Sequence, residues 1–356
     1  MLVVIDTGLA TTKVAALVGN QMLGDSYPSA VVRGIVSEQA AGVYCIGKTT
    51  ANFQIYSVLA RKHGLFPTNP SSFRDPANAR RRVLVEHAMA KIDIKGKTNV
   101  ILTQPATALF SGGEDNTAKL REAEATLLKM AVSTIGMTSG RPAQSAWKLG
   151  QITTSPEAVW GIYDLAITSS EAALDDLGEF TRNHVEVGAT VAVVDLGVTG
   201  TRVHYVEWTG EPLPTLEMSR YREFPIGVET VIAEIDARLV EQHGYRDVID
   251  LPRLATDPSI IVAGARTDVA ELIEGSARAV GVMLMNAGLD QLKAEIEAKT
   301  VDHVLFVGGG THVLGGIVAE GLPADAVLSV ADPSMAPVRG LLKARTASAA
   351  NGGGRS

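Results

Sequence analysis

Short apolar runs that end in polar turns mark the predicted strands of this chain. Unbroken runs of this kind are typical of strands that are buried on both faces of a sheet. The apolar runs cover residues 2–5, 14–18, 98–103, 190–195 and 303–307. A tight polar turn separates the first two runs, and this arrangement predicts a β-hairpin at the start of the sequence.

Amphipathic patterns between these runs predict helices, because their apolar positions recur at helical spacing. The predicted helices cover residues 82–91, 116–135, 156–168, 227–240 and 267–298, the last with a break near Gly275 or Gly281. Strands that alternate with helices indicate an α/β fold class.

Two segments follow neither period. Residues 64–82 are rich in Pro, Asn, Ser and Arg and predict a long surface loop. Residues 344–356 are small and polar and predict a disordered tail. At the end of the loop, Arg80, Arg81 and Arg82 predict a solvated helix start, with a contact to another protein as the alternative.

Composition narrows the class of protein. A length of 356 residues predicts roughly two domains. Apolar residues make up 46% and charged residues 20% of the chain, a balance typical of folded globular proteins. The formal net charge of −7 argues against binding of nucleic acid by bulk charge, because proteins that bind in this way are usually basic.

The reactive residue types point to a soluble protein without zinc. The single cysteine, Cys45, excludes an intramolecular disulfide and a cysteine-based zinc site, and its strand-like surroundings predict a small buried residue. His204 and His312 lack the spacing of paired zinc ligands.

No apolar run approaches the length of a membrane span, and the opening MLVVIDTG lacks the basic segment of a signal peptide. We therefore expect a cytoplasmic protein that makes no membrane contact.

An internal repeat is the strongest signal in the sequence. The segment VIDTGLATTKV begins at Val4, and the similar segment VVDLGVTGTRV begins at Val193. When Asp6 is aligned with Asp195, the aspartate, glycine, threonine and valine positions coincide, and Lys13 falls opposite Arg202. The repeat predicts a chain built from two related halves, with chance similarity of short hairpins as the alternative.

The repeated residues suit the binding of phosphate groups. Glycine lets the backbone approach a ligand, and successive N–H groups in such a turn form a concave anion site. An aspartate would repel a bare phosphate, but it suits a hydrated Mg²⁺ placed between the two. Two such hairpins would clasp the phosphates of one nucleotide, with Lys13 as a point charge. The alternatives are turn-capping aspartates at Asp6 and Asp195 and an exposed strand lysine at Lys13.

A third element is the triple glycine Gly308, Gly309 and Gly310, which follows the run at 303–307. Three glycines allow a flat group to lie directly on the backbone, although they also suit a tight turn. The glycine patterns of a P-loop and of a Rossmann fingerprint are absent from the sequence at these positions. Gly227 is placed either at a helix start or in a simple turn.

These three motifs, in this order, resemble those of the actin-like ATPase superfamily, which includes actin, Hsp70 and sugar kinases. Within it the chain is most similar to the ParM/StbA plasmid-segregation actins. That similarity rests on the opening MLVVIDTGLATTKV, on SPEAVWGIYDL from Ser155 and on DPSMAPVRGLLK from Asp332.

The resemblance implies an actin-like α/β fold in which two related domains flank a nucleotide cleft, with domain I at 1–165 plus 338–356 and domain II at 166–337. It implies ATP, or GTP as well, bound with Mg²⁺ that is held through water by Asp6 and Asp195. The implied nucleotide-binding residues are Gly8, Leu9, Ala10, Thr11, Lys13, Gly197, Val198, Thr199, Gly308, Gly309 and Gly310.

Glu157 falls on the glutamate that orients the attacking water in this family. The alternative is that Ser155, Pro156 and Glu157 are simply the start of a helix, with Ser155 as its cap. The sequence also departs from the family at three positions. Leu9 stands where a phosphate-binding serine is common, Val198 replaces a usual glycine or aspartate, and Arg202 stands near a position that is often acidic.

The implied function is a polymerising ATPase whose filaments assemble with nucleoside triphosphate and become unstable after hydrolysis. A ParR-like adaptor bound to DNA would couple filament growth to plasmid movement, so the chain itself would not contact nucleic acid. Two alternatives on the same fold are a small-molecule kinase and a scaffold that binds nucleotide without hydrolysing it.

Overall fold

The computed structural model describes residues 1–19, 21–33, 40–46, 54–59, 79–110, 114–135, 142–168, 173–244 and 257–352. The chain divides into two compact units. The first unit comprises Met1–Glu157 and Leu341–Thr346, and the second comprises Ala158–Gly340 and Ala347–Ser356. The domain boundaries drawn from the sequence stay a prediction.

The described residues form both strands and helices, as expected for an α/β protein, with six strands before the first described helix. The strands are β1 (Leu2–Thr7), β2 (Thr11–Val18), β3 (Gln21–Pro28), β4 (Val31–Arg33), β5 (Ala40–Ile46), β6 (Gln54–Leu59), β7 (Gly96–Gln104), β8 (Val132–Ile135), β9 (Pro142–Gln144), β10 (Trp147–Pro156), β11 (Thr190–Leu196), β12 (Thr201–Glu207), β13 (Thr215–Leu216), β14 (Arg222–Phe224), β15 (Ser259–Val262), β16 (Ala265–Asp268), β17 (His303–Val307) and β18 (Val327–Leu328).

The α-helices are α1 (Ala79–Lys91), α2 (Ala106–Leu109), α3 (Thr117–Leu128), α4 (Gly161–Ala166), α5 (Ala173–Asn183), α6 (Val228–His243), α7 (Ala270–Leu284), α8 (Gln291–Glu297), α9 (Gly316–Ala319) and α10 (Ala336–Gly352). Short 3₁₀ turns cover Met218–Arg220 and Ala324–Ala326, and π-helical turns cover Met285–Leu289 and Thr311–Gly315. None of the helices in the described residues is long and apolar enough to cross a membrane.

The central sheets of the two units have the same topology. The strand order is β10-β7-β1-β2-β3 in the first unit and β18-β17-β11-β12-β13 in the second, where β14 also pairs with β12. In the first sheet β1 and β2 form an antiparallel hairpin, and β7 pairs with β1 in parallel. In the second sheet β11 and β12 form the corresponding hairpin, and β17 pairs with β11 in parallel. The repeat in the sequence therefore belongs to a duplicated sheet, and chance similarity is not its explanation.

Each central sheet is covered by apolar side chains, which is why its strands were readable as unbroken apolar runs. In the first unit Val3, Ile5, Val14 and Leu102 join one buried cluster with the apolar face of α1. In the second, the corresponding cluster forms around β11, β12 and β17 and is covered by α6 and α7. A further sheet of the first unit, β4-β6-β5-β8-β9, contains Cys45, which is buried and carries a free thiol as predicted.

Three predicted helices are corrected, two of them because residues at one end belong to a paired strand. The helix at 116–135 ends at Leu128, because its last residues form β8 and pair with β5. The helix at 156–168 is reduced to α4, because Pro156 is still part of β10, which pairs with β7, and residues 157–160 form a bend and a turn. The segment 267–298 breaks at Met285–Leu289, where Gly288 has a φ of 121°. Gly275 and Gly281 lie inside α7, and the break predicted near them is wrong.

Two predictions about polar segments also change. Residues 344–352 continue helix α10 and do not form a disordered tail, because Ala344 and Ala347 are buried and alanine favours helix. Residues 353–356 and 64–78 lie outside the described residues. Helix α1 begins at Ala79, three residues before the predicted start at 82, so residues 79–82 are helical and do not belong to the predicted surface loop. Arg81 and Arg82 are buried and Arg80 is exposed, so the solvated helix start is wrong for two of the three arginines.

Helix α10 is fixed to α4 by a close backbone contact and an ion pair. A Cβ atom on Gly340 would lie 1.9 Å from the carbonyl oxygen of Trp160, so this position admits only glycine. One residue earlier, Arg339 donates through Nε and Nη2 to the buried carboxylate of Asp164, with an Nη2–Oδ2 distance of 2.6 Å. Both contacts lie within the second unit.

We predict that Gly340→Ala lowers the unfolding temperature, because the added methyl group meets backbone atoms that cannot rotate away. Overpacking of this kind destabilises by about 1–3 kcal/mol. Gly316→Ala is the matched control, since no atom lies within 4 Å of its Cβ position. Calorimetry of both variants checks the prediction, and equal unfolding temperatures for the two would contradict it.

Candidate functional site

The first hairpin pairs an aspartate with a lysine across its two strands. Asp6 and Lys13 are direct partners in the β1–β2 register, and Lys13 Nζ donates to Asp6 Oδ2 at 3.2 Å. Thr103, at the end of the neighbouring strand β7, donates its hydroxyl to Asp6 Oδ1 at 3.1 Å. Lys13 is thus paired with the aspartate. The alternative that Lys13 is an exposed strand residue is wrong, because only 12% of its side chain is exposed.

The turn of this hairpin, residues 8–11, presents mainly backbone. A Cβ on Gly8 would lie 2.8 Å from the carbonyl oxygen of Thr11, so the tight turn requires glycine. Ser29 donates its hydroxyl to the carbonyl of Gly8 at 2.6 Å and holds the turn from outside. The side chains of Leu9 and Ala10 are buried, and Leu9 belongs to the apolar core. Any phosphate contact from Leu9 would therefore come from its main chain.

The second hairpin repeats this geometry with an arginine. Asp195 and Arg202 are direct partners in the β11–β12 register, and Arg202 Nη1 lies 3.5 Å from Asp195 Oδ2. Arg202 also donates through Nε to Glu223 on β14 at 2.9 Å. A Cβ on Gly197 would lie 2.7 Å from the carbonyl oxygen of Gly200, the counterpart of the contact at Gly8.

Helix α6 begins directly on the second turn, where Val198 and Thr199 are half-buried. The N–H of Glu229 donates to the carbonyl of Val198 at 2.9 Å, and that of Val228 donates to the carbonyl of Gly197 at 3.2 Å. A Cβ on Gly227 would lie 2.5 Å from the Val198 carbonyl oxygen. Gly227 is therefore a helix start whose close approach to the turn requires glycine, and not a simple turn residue.

The triple glycine packs against the aspartate of the second hairpin. Asp195 is the register partner of Val307, the last residue of the parallel strand β17. Gly308 follows with a φ of 90°, and a Cβ there would lie 2.3 Å from Asp195 Oδ1. The N–H of Gly310 donates to the carbonyl of Leu196 at 2.7 Å, while the Cβ position of Gly309 faces open space. Two motifs found separately in the sequence thus meet at the end of one sheet.

Glu157 lies in a bend after β10, at the same end of the sheet as Asp6. Its backbone N–H donates to the carbonyl of Gln104, the last residue of β7, at 2.8 Å. Because β1, β7 and β10 are parallel, Asp6, Thr103 and Glu157 all lie at the C-terminal end of these strands in the first unit's sheet. The residue that follows, Ala158, has a φ of 64°, which is unusual for alanine and marks an abrupt change of chain direction.

The alternative interpretation of Glu157 as part of a helix start is wrong. Ser155 and Pro156 are the last residues of β10, and α4 begins only at Gly161. The hydroxyl of Ser155 is buried and has no hydrogen-bond partner within the described part of the chain, so it caps no helix.

Sequence reasoning missed several residues that hold the hairpins. Thr103, Ser29 and Glu223 contact the repeated motifs from 97, 21 and 21 residues away, respectively. No periodicity predicts such contacts. The only signal for Thr103 was its place at the end of an apolar run.

Histidines do not build a metal centre in the residues described. No group of three or more His, Cys, Asp or Glu side chains there is arranged to hold a metal ion directly. Burial, with a smaller effect of Arg202, lowers the pKa of His204 to about 3, so this side chain is neutral at pH 7. His312 is exposed.

Comparison with known proteins places this geometry in a known fold. No protein-family model and no curated protein sequence matches the chain. Solved structures do: the archaeal actin homologue Ta0583 matches with a TM-score of 0.70 at 15% identity, over 98% of this chain and 99% of its own. A ParM from a 15-stranded filament of Clostridium botulinum matches with a TM-score of 0.68 at 15% identity, over 96% and 97% of the two chains.

The chain has the actin-like fold. A ParM of Bacillus thuringiensis, solved with ATP, has the same fold, with a TM-score of 0.65 at 13% identity over 98% of each chain. The fold implied by the three sequence motifs is confirmed. The nearly complete coverage shows that the actin-like fold accounts for the whole chain and not for one half alone.

Proposed function

We propose that this actin-like chain is a nucleoside triphosphatase that assembles into dynamic filaments and serves plasmid segregation. The observation that carries the proposal is the duplicated hairpin, in which a glycine turn adjoins an aspartate paired with a cation. Support for nucleotide binding comes from structures of the same fold solved with ADP, AMPPNP and ATP. Support for assembly comes from the ParM filament.

The two turns supply the phosphate site of the proposal. Residues Gly8, Leu9, Ala10 and Thr11 form the first turn, and Gly197, Val198 and Thr199 form the second. Because Leu9 and Val198 have apolar side chains, their contribution comes from backbone N–H groups, which suit phosphate oxygens. Lys13, already 3.2 Å from Asp6, adds the positive charge that offsets this carboxylate.

The residues present also suit Mg²⁺ and a nucleoside. Asp6 and Asp195 would hold hydrated Mg²⁺, whose charge neutralises phosphate oxygens during phosphoryl transfer when it is bound. The fit rests on Gly308, where any side chain would occupy the space beside Asp195. Of the three glycines Gly308, Gly309 and Gly310, Gly309 has an open Cβ position, and the backbone of this turn is the surface against which the nucleoside of ATP or GTP would lie.

Glu157 is the proposed catalytic residue. Its backbone N–H donates to the carbonyl of Gln104, and its half-buried side chain lies at the same end of the sheet as Asp6. A carboxylate in this place would accept a hydrogen bond from the attacking water and so orient it toward the γ-phosphate. Positioning of this kind dominates the catalysis of phosphoryl transfer.

Self-association and a ParR-like adaptor bound to DNA are the proposed partners, in the cytoplasm. The formal net charge of −7 favours contact with DNA through such an adaptor rather than directly. A scaffold that binds nucleotide without hydrolysis is the second candidate. It is favoured by Leu9, whose buried apolar side chain provides no ligand for phosphate in the first turn.

We predict that adding Mg-ATP or Mg-GTP to the purified chain raises right-angle light scattering and the pelleted fraction. The signal should decay only with hydrolysable nucleotide, because hydrolysis weakens the contacts between subunits. A non-hydrolysable analogue should give a stable plateau. The absence of any assembly at tens of micromolar protein, despite nucleotide binding, would contradict the proposal.

We further predict that Glu157→Ala abolishes phosphate release and preserves assembly, because the change removes the group that orients water and leaves both turns intact. Glu122→Ala, an exposed glutamate on α3, is the control and should retain wild-type release. Phosphate release measured alongside pelleting checks this. Wild-type release by the Glu157→Ala chain would overturn the catalytic role, and filaments without release in the wild type would favour the scaffold.

A further inference from the structure

A buried ion pair connects helices α1 and α3 of the first unit. Arg81 donates through Nη1 to Glu124 Oε1. The side chain of Arg81 is 2% exposed and that of Glu124 is fully buried. Neither residue belongs to a motif that the proposed function uses, so the pair needs its own explanation.

Both members of the pair also contact the ends of the central strands. Arg81 Nε donates to the hydroxyl oxygen of Thr7, the last residue of β1, at 2.8 Å. The side-chain amide of Gln104, the last residue of β7, donates to Glu124 Oε1. One buried pair thus fixes the points at which two neighbouring parallel strands leave the sheet.

These strand ends lead directly to the candidate site. Thr7 lies between Asp6 and Gly8, at the start of the first turn. The carbonyl of Gln104 accepts the backbone N–H of Glu157 at 2.8 Å. A chain of contacts therefore runs from Arg81 and Glu124 through Gln104 to the backbone of the proposed catalytic glutamate.

Packing alone does not explain why charges stand here. Removing two charges from water is unfavourable, and apolar pairs of similar size often stabilise a core as well or better. Burial raises the pKa of the Glu124 carboxyl, although Arg81 and Gln104 act against this shift. What an apolar pair cannot supply is directional hydrogen bonding to Thr7 and Gln104.

We propose that the Arg81–Glu124 pair is a positioning element for triphosphate hydrolysis, which sets the first turn through Thr7 and the catalytic glutamate through Gln104. This inference rests on the proposed function. Arg81 and Glu124 act through other residues and do not touch the nucleotide. Their loss should lower the rate of hydrolysis more than the affinity for nucleotide.

The same helix provides a matched control pair. Arg82 and Glu86 form an ion pair at 3.0 Å, and each side chain is 4% exposed. Arg82 also donates to the carbonyl of Met130, and Glu86 accepts from the indole of Trp147. Trp147 is the first residue of β10, at the end of that strand remote from Glu157.

The test compares two double variants, Arg81→Met with Glu124→Leu and Arg82→Met with Glu86→Leu. In the first, we expect kcat to fall about tenfold or more while KM for Mg-ATP changes by less than about threefold, because misplacement by an ångström can reduce rates strongly. In the control, both constants should stay near wild type. Equal loss of kcat in the two double variants, or unchanged kcat in the first, would overturn the proposal.

Hydrogen exchange provides a readout that does not depend on activity. In the Arg81→Met, Glu124→Leu chain the amide of Glu157 should exchange faster, because its acceptor, the Gln104 carbonyl, is no longer held. The control pair should leave it unchanged. Unchanged exchange in both would show that the pair does not hold Glu157 and would refute the inference.

The test remains decisive if the wild-type chain shows no hydrolysis or if the first double variant does not fold. If the wild-type chain does not hydrolyse triphosphate, the proposed function fails, and hydrogen exchange still determines whether the contact chain exists. If the first double variant does not fold, Gln104→Met replaces it, since this change leaves the ion pair intact and breaks only its link to β7. It should show the same selective fall in kcat, and wild-type kcat would refute the inference.

Discussion

The pairing of an aspartate with a cation across a glycine turn is the interaction on which the candidate site depends. In each half of the chain the two charges are register partners on adjacent antiparallel strands, Asp6 with Lys13 and Asp195 with Arg202. Such a pair would let a carboxylate lie next to a turn that binds phosphate, as proposed above, because the cation offsets the repulsion between the two anions. The turn itself is held by glycine, whose missing Cβ allows the backbone to close.

The two halves are duplicated in topology but differ in chemistry. Lys13 carries a compact point charge, which lies 3.2 Å from the carboxylate of Asp6. Arg202 divides its planar guanidinium between Asp195 and Glu223. Lysine is better suited to follow a mobile phosphate, and arginine to fix a geometry. Under the proposed function, the lysine of the first hairpin would therefore be the more adaptable of the two cations and the arginine of the second the more rigid.

Sequence patterns predicted what is local and repetitive. The strands at 190–195 and 303–307 were readable because a buried central strand is an unbroken apolar run, and the hairpins were readable because they occur twice. The Ser-Pro-Glu pattern at Ser155 predicted a helix start that the structure does not have, because Ser155 and Pro156 pair with β7 as part of β10. The burial of Arg81 was also unreadable, since its partner Glu124 lies 43 residues away on another helix. Composition predicts that an arginine cluster is solvated, and only the tertiary fold reveals its acceptor.

The central proposal is that both hairpins contribute to the binding of one nucleotide. The most direct test is calorimetric titration of Mg-ATP into the wild-type chain and into the single variants Gly8→Ala and Gly197→Ala. Each added methyl group would meet a carbonyl oxygen within 2.8 Å across its own turn. The account predicts one nucleotide per wild-type chain and an affinity that falls about tenfold or more in either variant, a loss of about 1.4 kcal/mol of binding free energy. Two nucleotides per chain, or wild-type affinity in one of the two variants, would contradict it.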